Sequence, residues 1–240
     1  MRLFHARSLK FQDFNESSLP PYAILSHTWD APEEVTLQDM TSPYLPSKKG
    51  YAKITETCRL ALGHSLEYVW IDTCCIDKTS SAELTESINS MFRWYQKART
   101  LQEMLAPLDL QFYNSRWALI GTKEELGKEL SKITRIPIEA ITAARSLRSF
   151  SAAARMSWAS ERVTTREEDI AYCLLGLFDV HMPLVYGEGN KAFYRLQEEI
   201  IKKTFDPSLF AWQPDDETAQ TYLSVLATSP ADFRNLVDPL

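Results

Sequence analysis

The sequence predicts an α/β fold in which a mostly parallel sheet is flanked by helices. Two short runs, Tyr22–Ser26 and Tyr68–Ile71, are apolar and rich in β-branched and aromatic residues, which is typical of buried strands. A helical pattern that follows Gly50 separates them, and a second helical pattern follows Ser80. An alternation of strand and helix along the chain is typical of a parallel sheet.

Start signals and apolar spacing predict the two helices. In the first, Ile54, Cys58, Ala61 and Leu62 form a stripe that ends near Gly63. The second begins with Ser80 three residues before Glu83, which is the capping-box spacing, and this gives Glu83 a structural role. Its buried face is expected to consist of the residues at helical spacing, Leu84, Ile88, Met91, Phe92 and Tyr95.

The second half of the chain is predicted to be largely helical and to pack on the sheet. It opens with a hairpin of Leu110–Tyr113 and Trp117–Ile120. The helix signals that follow are Thr122 to Glu125, Pro137, the Ala-rich Ser151–Ser160, Thr165 to Glu168 ahead of an apolar helix over 170–178, and the stripe of Phe193, Leu196 and Ile200. We therefore predict one domain over 1–212, with core motifs in 20–107 and a helical remainder in 108–212, and an extension over 213–240.

Composition narrows the class of protein. The chain has 240 residues, a formal net charge of −6 and no basic block, which argues against a nucleic-acid partner. No apolar run is long enough to cross a membrane, and the first residues lack the apolar region of a secretory signal. Four cysteines without C-x-x-C spacing predict a reduced, cytoplasmic protein. No metal-ligand spacing, P-loop or G-x-G-x-x-G motif occurs.

Polar residues cluster just after both predicted strands, where parallel sheets bind ligands. The candidates for substrate binding are Ser26, His27 and Trp29 after the first strand and Asp72, Asp77 and Lys78 after the second. Ser26 and His27 could bind a phosphate or ribose, and Trp29 could stack on a base. Asp72 fits a ribose contact and a strand-end aspartate that accepts backbone N–H groups equally well. A hydrolase that uses His27 with Cys74 or Cys75 is disfavoured, because no nucleophile elbow is present.

Several sequence motifs resemble those of the fungal heterokaryon-incompatibility (HET) domain. They occur in the family's order and cover roughly residues 20 to 212. The motifs are YAILSHTW (22–29), WIDTCCIDK (70–78), INSM (88–91), TLQEMLAP (100–107), RMSWA (155–159), EDIAYCLLG (168–176) and MPLVYGEG (182–189). So many motifs in the same order make a chance match improbable.

The resemblance implies a TIR-like (flavodoxin-like) sheet and a role in self/non-self recognition and programmed cell death. TIR domains use a glutamate to cleave NAD, and the matching segment places that carboxylate at Glu103. A carboxylate stabilises the oxocarbenium-like state of nicotinamide–ribose cleavage. The alternative for Glu103 is a first-turn glutamate favoured by the helix dipole. NAD would be a substrate, with no cofactor, and activation would involve a homo-oligomer or a partner signalling protein, without nucleic acid or membrane.

One departure from the family lies between the second helix and TLQEMLAP. HET domains carry a further strand there and a lead-in containing arginine and tryptophan, whereas here Ala98 is followed directly by Arg99 and Thr100. We therefore predict an internal deletion near 98–100. Two alternatives to an enzyme stay open, which are a non-enzymatic module for homotypic protein contacts and an inactive, shortened member of the family.

Overall fold

A computed structural model describes residues 1–30, 32–97, 105, 110–214 and 224–236, without the side chains of 92 and 95–97. The chain divides into two compact units, Met1–Glu125 and Leu126–Leu240. Each unit is described by itself below. Glu103, the predicted catalytic residue, lies outside the described residues.

The first unit is built on a four-stranded sheet. Its strands are β1 (Arg2–His5), β2 (Phe11–Asp13), β3 (Tyr22–Leu25) and β4 (Tyr68–Ile71), in the order β2-β1-β4-β3. The β3–β4 pair is parallel, as predicted, and the last residues of the two strands, Leu25 and Ile71, pair with each other. The other pairs are antiparallel, so the described sheet is mixed. The α/β class is confirmed, whereas a mostly parallel, TIR-like sheet is not.

The β1–β2 hairpin is a finding that the sequence did not predict, since the first predicted strand begins at Tyr22. Leu3 and Phe4 of β1 are fully buried in the core of this unit. They pair with Gln12 and Phe11 of β2, and Phe4 also pairs with Val69 of β4. β1 is thus an interior strand, although only four residues long.

Three α-helices of four or more residues accompany the sheet in the described part of this unit. Helix α1 (Gly50–Gly63) is confirmed with Ile54, Cys58 and Ala61 buried. Helix α2 (Asp72–Cys75) follows β4 directly and was not predicted. Helix α3 (Ser81–Lys97) begins where the capping-box spacing predicted, with the Ser80 hydroxyl accepting the Glu83 N–H at 3.3 Å.

A separate hairpin completes the first unit. Strands β5 (Gln111–Tyr113) and β6 (Leu119–Thr122) pair antiparallel, which confirms the predicted hairpin. The capping box after it is present in both directions. Thr122 N–H donates to the Glu125 carboxylate at 2.8 Å, and Glu125 N–H donates to the Thr122 hydroxyl at 3.3 Å.

The second unit is helical in its described part. Its helices are α4 (Gly127–Thr134), α5 (Ile138–Ile141), α6 (Ala152–Ser157), α7 (Asp169–Tyr172), α8 (Leu175–Phe178) and α9 (Lys191–Lys203). The predicted stripe of α9 is buried at Phe193, Leu196 and Ile200. In the described part of the chain, no helix is both long and apolar enough to span a bilayer.

The region around Glu168 differs from its prediction. The single apolar helix expected over 170–178 is two short helices, α7 and α8. The Glu168 carboxylate does not close a capping box with Thr165. It accepts the backbone N–H groups of Gly187 at 2.6 Å and Gly189 at 3.0 Å. Both glycines have positive φ, 96° and 58°, which is the backbone conformation that a glycine adopts at little cost.

Candidate active site

A cavity of about 710 Å³ lies within the first unit. Its walls come from the end of β3, from α1, and from the β5–β6 hairpin. The lining residues are Ala23–Thr28, Lys53, Thr57, Leu60, Ala61, His64, Leu66, Leu110–Ser115 and Trp117. Small-molecule sites commonly have volumes of about 300–1,000 Å³, so a mid-sized ligand fits this space.

The cavity lining is aromatic and polar. The hairpin contributes Phe112, Tyr113 and Trp117, and the Tyr113 and Trp117 ring centroids are 6.4 Å apart. Lys53 and His64 come from α1. None of the described lining residues carries a carboxylate. The described walls therefore suit a ligand with flat rings.

A buried carboxylate organises the wall at the end of β3. The Glu34 side chain is only 8% exposed, and its Oε2 lies 3.1 Å from His27 Nε2. Its Oε1 accepts the Asp30 backbone N–H at 2.9 Å and forms a short contact with Lys53 Nζ. Lys53 also donates to the Thr28 carbonyl at 3.0 Å. One carboxylate thus joins the loop after β3 to helix α1.

Glu34 is ionised in this setting. Burial alone would raise its pKa, but hydrogen bonds from Lys53, the Asp30 N–H and His27 outweigh it, so that the pKa is lowered. Sequence reasoning missed both Glu34 and Lys53, because neither belongs to a motif. The available signal was an acidic residue in the loop that follows a strand-end histidine, with a lysine early in the next helix.

A second polar group follows β4. Lys78 Nζ lies 3.7 Å from Asp72 Oδ2 and 3.5 Å from the centroid of the Trp29 ring, a cation–π contact. Burial raises the pKa of Asp72, although the charges of Lys78 and His27 oppose this. Trp29 is 53% exposed. Trp29, from the loop after β3, thus meets Asp72 and Lys78, which follow β4, and the cavity lining includes none of the three.

Asp77 has a local structural role. Its carboxylate accepts the Thr79 hydroxyl at 2.6 Å and the Thr79 N–H at 3.0 Å, and it accepts the Gln38 side chain at 3.2 Å. The Thr79 hydrogen bonds are the main reason that its pKa is lowered. Asp77 therefore stabilises the turn before α3.

The predicted site residues thus separate into groups. Ser26 and His27 line the cavity, whereas Trp29, Asp72 and Lys78 form the neighbouring cation–π group. Glu103 cannot be placed, but it precedes the cavity-lining Leu110 by seven residues in the sequence.

The cysteines near β4 have the environment of core residues. Cys74 and Cys75 are buried, and Cys74 Sγ lies 3.8 Å from the Ile71 carbonyl oxygen. A hydrogen bond with Cys75 and burial raise the pKa of Cys74, which disfavours a nucleophilic thiolate. Within the described ranges, no group of three or more His, Cys, Asp or Glu side chains could hold a metal ion.

The chain is similar to known proteins over much of its length. The heterokaryon incompatibility protein (HET) family matches residues 22–167, a range that includes every cavity-lining residue, and a domain of unknown function, DUF8212, matches residues 191–234. The chain is 41% identical over 229 residues to the vegetative incompatibility protein HET-E-1 of Podospora anserina. That match covers 80% of this chain but only 17% of the relative. No solved structure matches.

Proposed function

Because the chain belongs to the heterokaryon incompatibility family, we propose that it acts in fungal self/non-self recognition and cell death by cleaving NAD. The bond broken would be the one between nicotinamide and ribose. The relative's name, vegetative incompatibility protein, supports the biological setting. The chain spans 17% of that relative's length.

The cavity is the observation that carries the NAD proposal. NAD has two flat rings joined through a pyrophosphate, and the lining offers Tyr113 and Trp117 for stacking. Lys53 lies on the α1 wall, where its ammonium group can donate a hydrogen bond to a phosphate oxygen, and His64 lies on the same wall. The ionised Glu34 carboxylate contacts Lys53 and offsets its charge, so Lys53 would hold the phosphate as a hydrogen-bond donor.

Cleavage needs one further group. As the C–N bond to ribose breaks, the electron pair leaves with nicotinamide and positive charge develops on the sugar. A carboxylate stabilises that charge, and water then adds to the sugar carbon with release of a proton. We assign this carboxylate to Glu103, on the strength of its segment's resemblance to the family and of its place in the sequence just before the hairpin wall.

Nicotinamide release from NAD by the purified chain tests the proposal. We expect release by the unaltered protein and a loss of about 100-fold or more in Glu103→Gln, the scale for removing a group that stabilises transition-state charge. Glu124→Gln, at an exposed position after β6, is the matched control and should release nicotinamide at the unaltered rate. Equal rates for Glu103→Gln and the unaltered chain would refute the assignment.

A second candidate function is a non-enzymatic module for homotypic contacts. A contiguous exposed apolar patch would favour it, and the exposed apolar side chains of the second unit include Phe205 at 96% and Val163 at 93%. Sedimentation at increasing concentration, run beside the NAD assay, separates the two functions. Assembly without nicotinamide release would favour the interaction module. A version carrying the family's missing strand would show whether the deletion has silenced an enzyme.

A further inference from the structure

The cavity lies between the edges of two strands that do not pair with each other. β3 is the last strand of the four-stranded sheet, and β5 belongs to the separate hairpin. Consecutive residues of both strands line the cavity, Ala23–Leu25 and Gln111–Tyr113, whereas the described lining includes no residue of β4 or β6. Successive side chains of a strand point to opposite faces of its sheet. A lining of consecutive residues from one strand alone therefore places the cavity beside the strand edges.

The hydrogen bonds between β5 and β6 show which edge of β5 is free. Just before β5, the Leu110 carbonyl accepts the Lys123 N–H at 2.9 Å. Just after β5, the Asn114 N–H donates to the Ala118 carbonyl at 3.0 Å. In an antiparallel pair every second residue bonds to the partner strand, so Phe112, midway between these two, also faces β6.

Gln111 and Tyr113 therefore direct their N–H and C=O groups away from β6, at the edge that borders the cavity. Thr122, which pairs with Gln111 in the register, agrees with this, because its N–H donates to the Glu125 carboxylate and not to β5. No described residue forms a hydrogen bond with these four backbone groups of β5. Unpaired N–H and C=O groups in a row are a template for another strand.

We propose that the free edge of β5 binds an extended segment of a partner polypeptide, which enters the cavity as a third strand of the hairpin sheet. Main-chain hydrogen bonds to Gln111 and Tyr113 would provide the affinity, as in other cases of strand addition. This inference goes beyond the proposed function and does not depend on whether NAD is cleaved.

The cavity walls determine which side chains the segment carries. Helix α1 contributes Thr57, Leu60 and Ala61, and the hairpin contributes the rings of Phe112 and Trp117. An uncharged segment with β-branched and aromatic residues fits these walls, and such residues also favour the extended conformation.

Two uncharged peptides, acetyl-TVYVT-amide and acetyl-TVLVT-amide, test the inference by titration into the ¹⁵N-labelled chain. On binding, the amide protons of Gln111 and Tyr113 should shift and exchange more slowly with solvent. The amide of Phe112, which faces β6, is the internal control. Fully N-methylated versions of the peptides keep the side chains but lack the N–H donors, so they should not bind. Binding of the N-methylated peptides, or no binding of either parent peptide at millimolar concentration, would overturn the inference.

Gln111→Pro tests the edge from the side of the protein. Proline removes one N–H from the free edge and leaves the bonds to β6, and edge strands tolerate it. Gln111→Ala is the matched control, because it keeps the N–H while both variants lose the side-chain contact with the Tyr113 hydroxyl. Gln111→Pro should bind the peptides about fivefold more weakly than Gln111→Ala, or weaker still. Equal affinities would contradict the proposal. If Gln111→Pro does not fold by circular dichroism, the N-methylated peptides decide.

The same peptides separate this inference from the proposed reaction. Peptide binding by a chain that releases no nicotinamide supports the inference and argues against NAD cleavage. Nicotinamide release by a chain that binds neither peptide supports the reaction and overturns the inference. If the chain does both, the peptides should inhibit nicotinamide release, since the two ligands would occupy one cavity.

Discussion

Gly50 lies so close to the backbone of Glu33 that position 50 has no room for a side chain. A Cβ added to Gly50 would stand 2.7 Å from the Glu33 carbonyl oxygen and 3.1 Å from the Glu34 Cα. The Gly50 N–H donates to the same oxygen at 2.9 Å. This contact joins the first turn of α1 to the segment that carries Glu34.

Gly50→Ala should therefore destabilise the chain and disturb the cavity wall. Backbone must move to admit the methyl group, and overpacking of this kind costs about 1–3 kcal/mol, measurable by urea unfolding. Gly63→Ala is the matched control at the other end of α1, where an added Cβ meets nothing within 4 Å. Its stability should be unchanged or higher by up to about 1 kcal/mol. A stable Gly50→Ala would contradict the close approach.

Glu168 should make stability depend on pH. Glu168 is 6% exposed. Hydrogen bonds from the backbone N–H groups of Glu168 itself, Gly189 and Gly187 hold the pKa of its carboxyl group below the usual value. A group with a depressed folded-state pKa stabilises the fold above its unfolded pKa, and this stability is lost as the pH falls through the folded value. Thermal melts of the unaltered chain should show part of this loss below about pH 5.

Glu168→Gln removes that dependence. It should lower the melting temperature at pH 7, because an amide oxygen is a weaker acceptor than a carboxylate, and the difference from the unaltered chain should shrink as the pH falls. Glu198→Gln, at an exposed position of α9, should leave the pH profile as it is. A difference that stays constant from pH 7 to 4 would show that the charge of Glu168 is not involved.

The thiols should be inert in the folded chain. Burial raises the pKa of Cys58 to about 11, and a hydrogen bond with Cys75 together with burial raises that of Cys74. Only Cys173 is partly exposed. A thiol reagent at pH 8 should thus modify Cys173 at most in the native chain and all four cysteines after denaturation. Rapid labelling of Cys58 or Cys74 in a folded Cys173→Ser variant would contradict this expectation.

Glu83 should be more important for stability than its neighbour Glu86. It binds Arg2 at 2.8 Å and accepts the Asp77 N–H at 2.8 Å, which ties β1 and the turn to α3. Glu83→Ala should cost about 1–2 kcal/mol in urea unfolding, since an N–H group and an arginine lose their acceptor. Glu86 is exposed, and Glu86→Ala should have little effect. Equal effects would argue against the bridge to Arg2.

Periodicity was enough to predict the long or strongly apolar elements of the fold. The parallel β3–β4 pair, α1, the β5–β6 hairpin and α9 were all predicted. The β1–β2 hairpin was missed because strands of three and four residues are too short for a periodic signal. The break between α7 and α8 was missed because the residues at the break, Cys173 and Leu174, include no Gly or Pro.

The site residues that follow strand ends could be predicted from the sequence. Those that are brought together by tertiary contacts could not. His27 and Ser26 follow β3 in sequence, so their place at the cavity follows from the rule for parallel strands. Glu34 and Lys53 meet only because the loop after β3 folds back onto α1. The hairpin wall with Tyr113 and Trp117 is more than eighty residues from β3 in sequence.

The place of β1 in the sheet has a consequence for biosynthesis. β1 lies between β2 and β4, and Phe4 pairs with Val69, so β1 finds its second partner only after about sixty-five further residues have been made. Until then, the apolar side chains of Leu3 and Phe4 are not fully buried. A ribosome that stalls before β4 would therefore leave a nascent hairpin with an unpaired apolar edge, a target for chaperones or for aggregation.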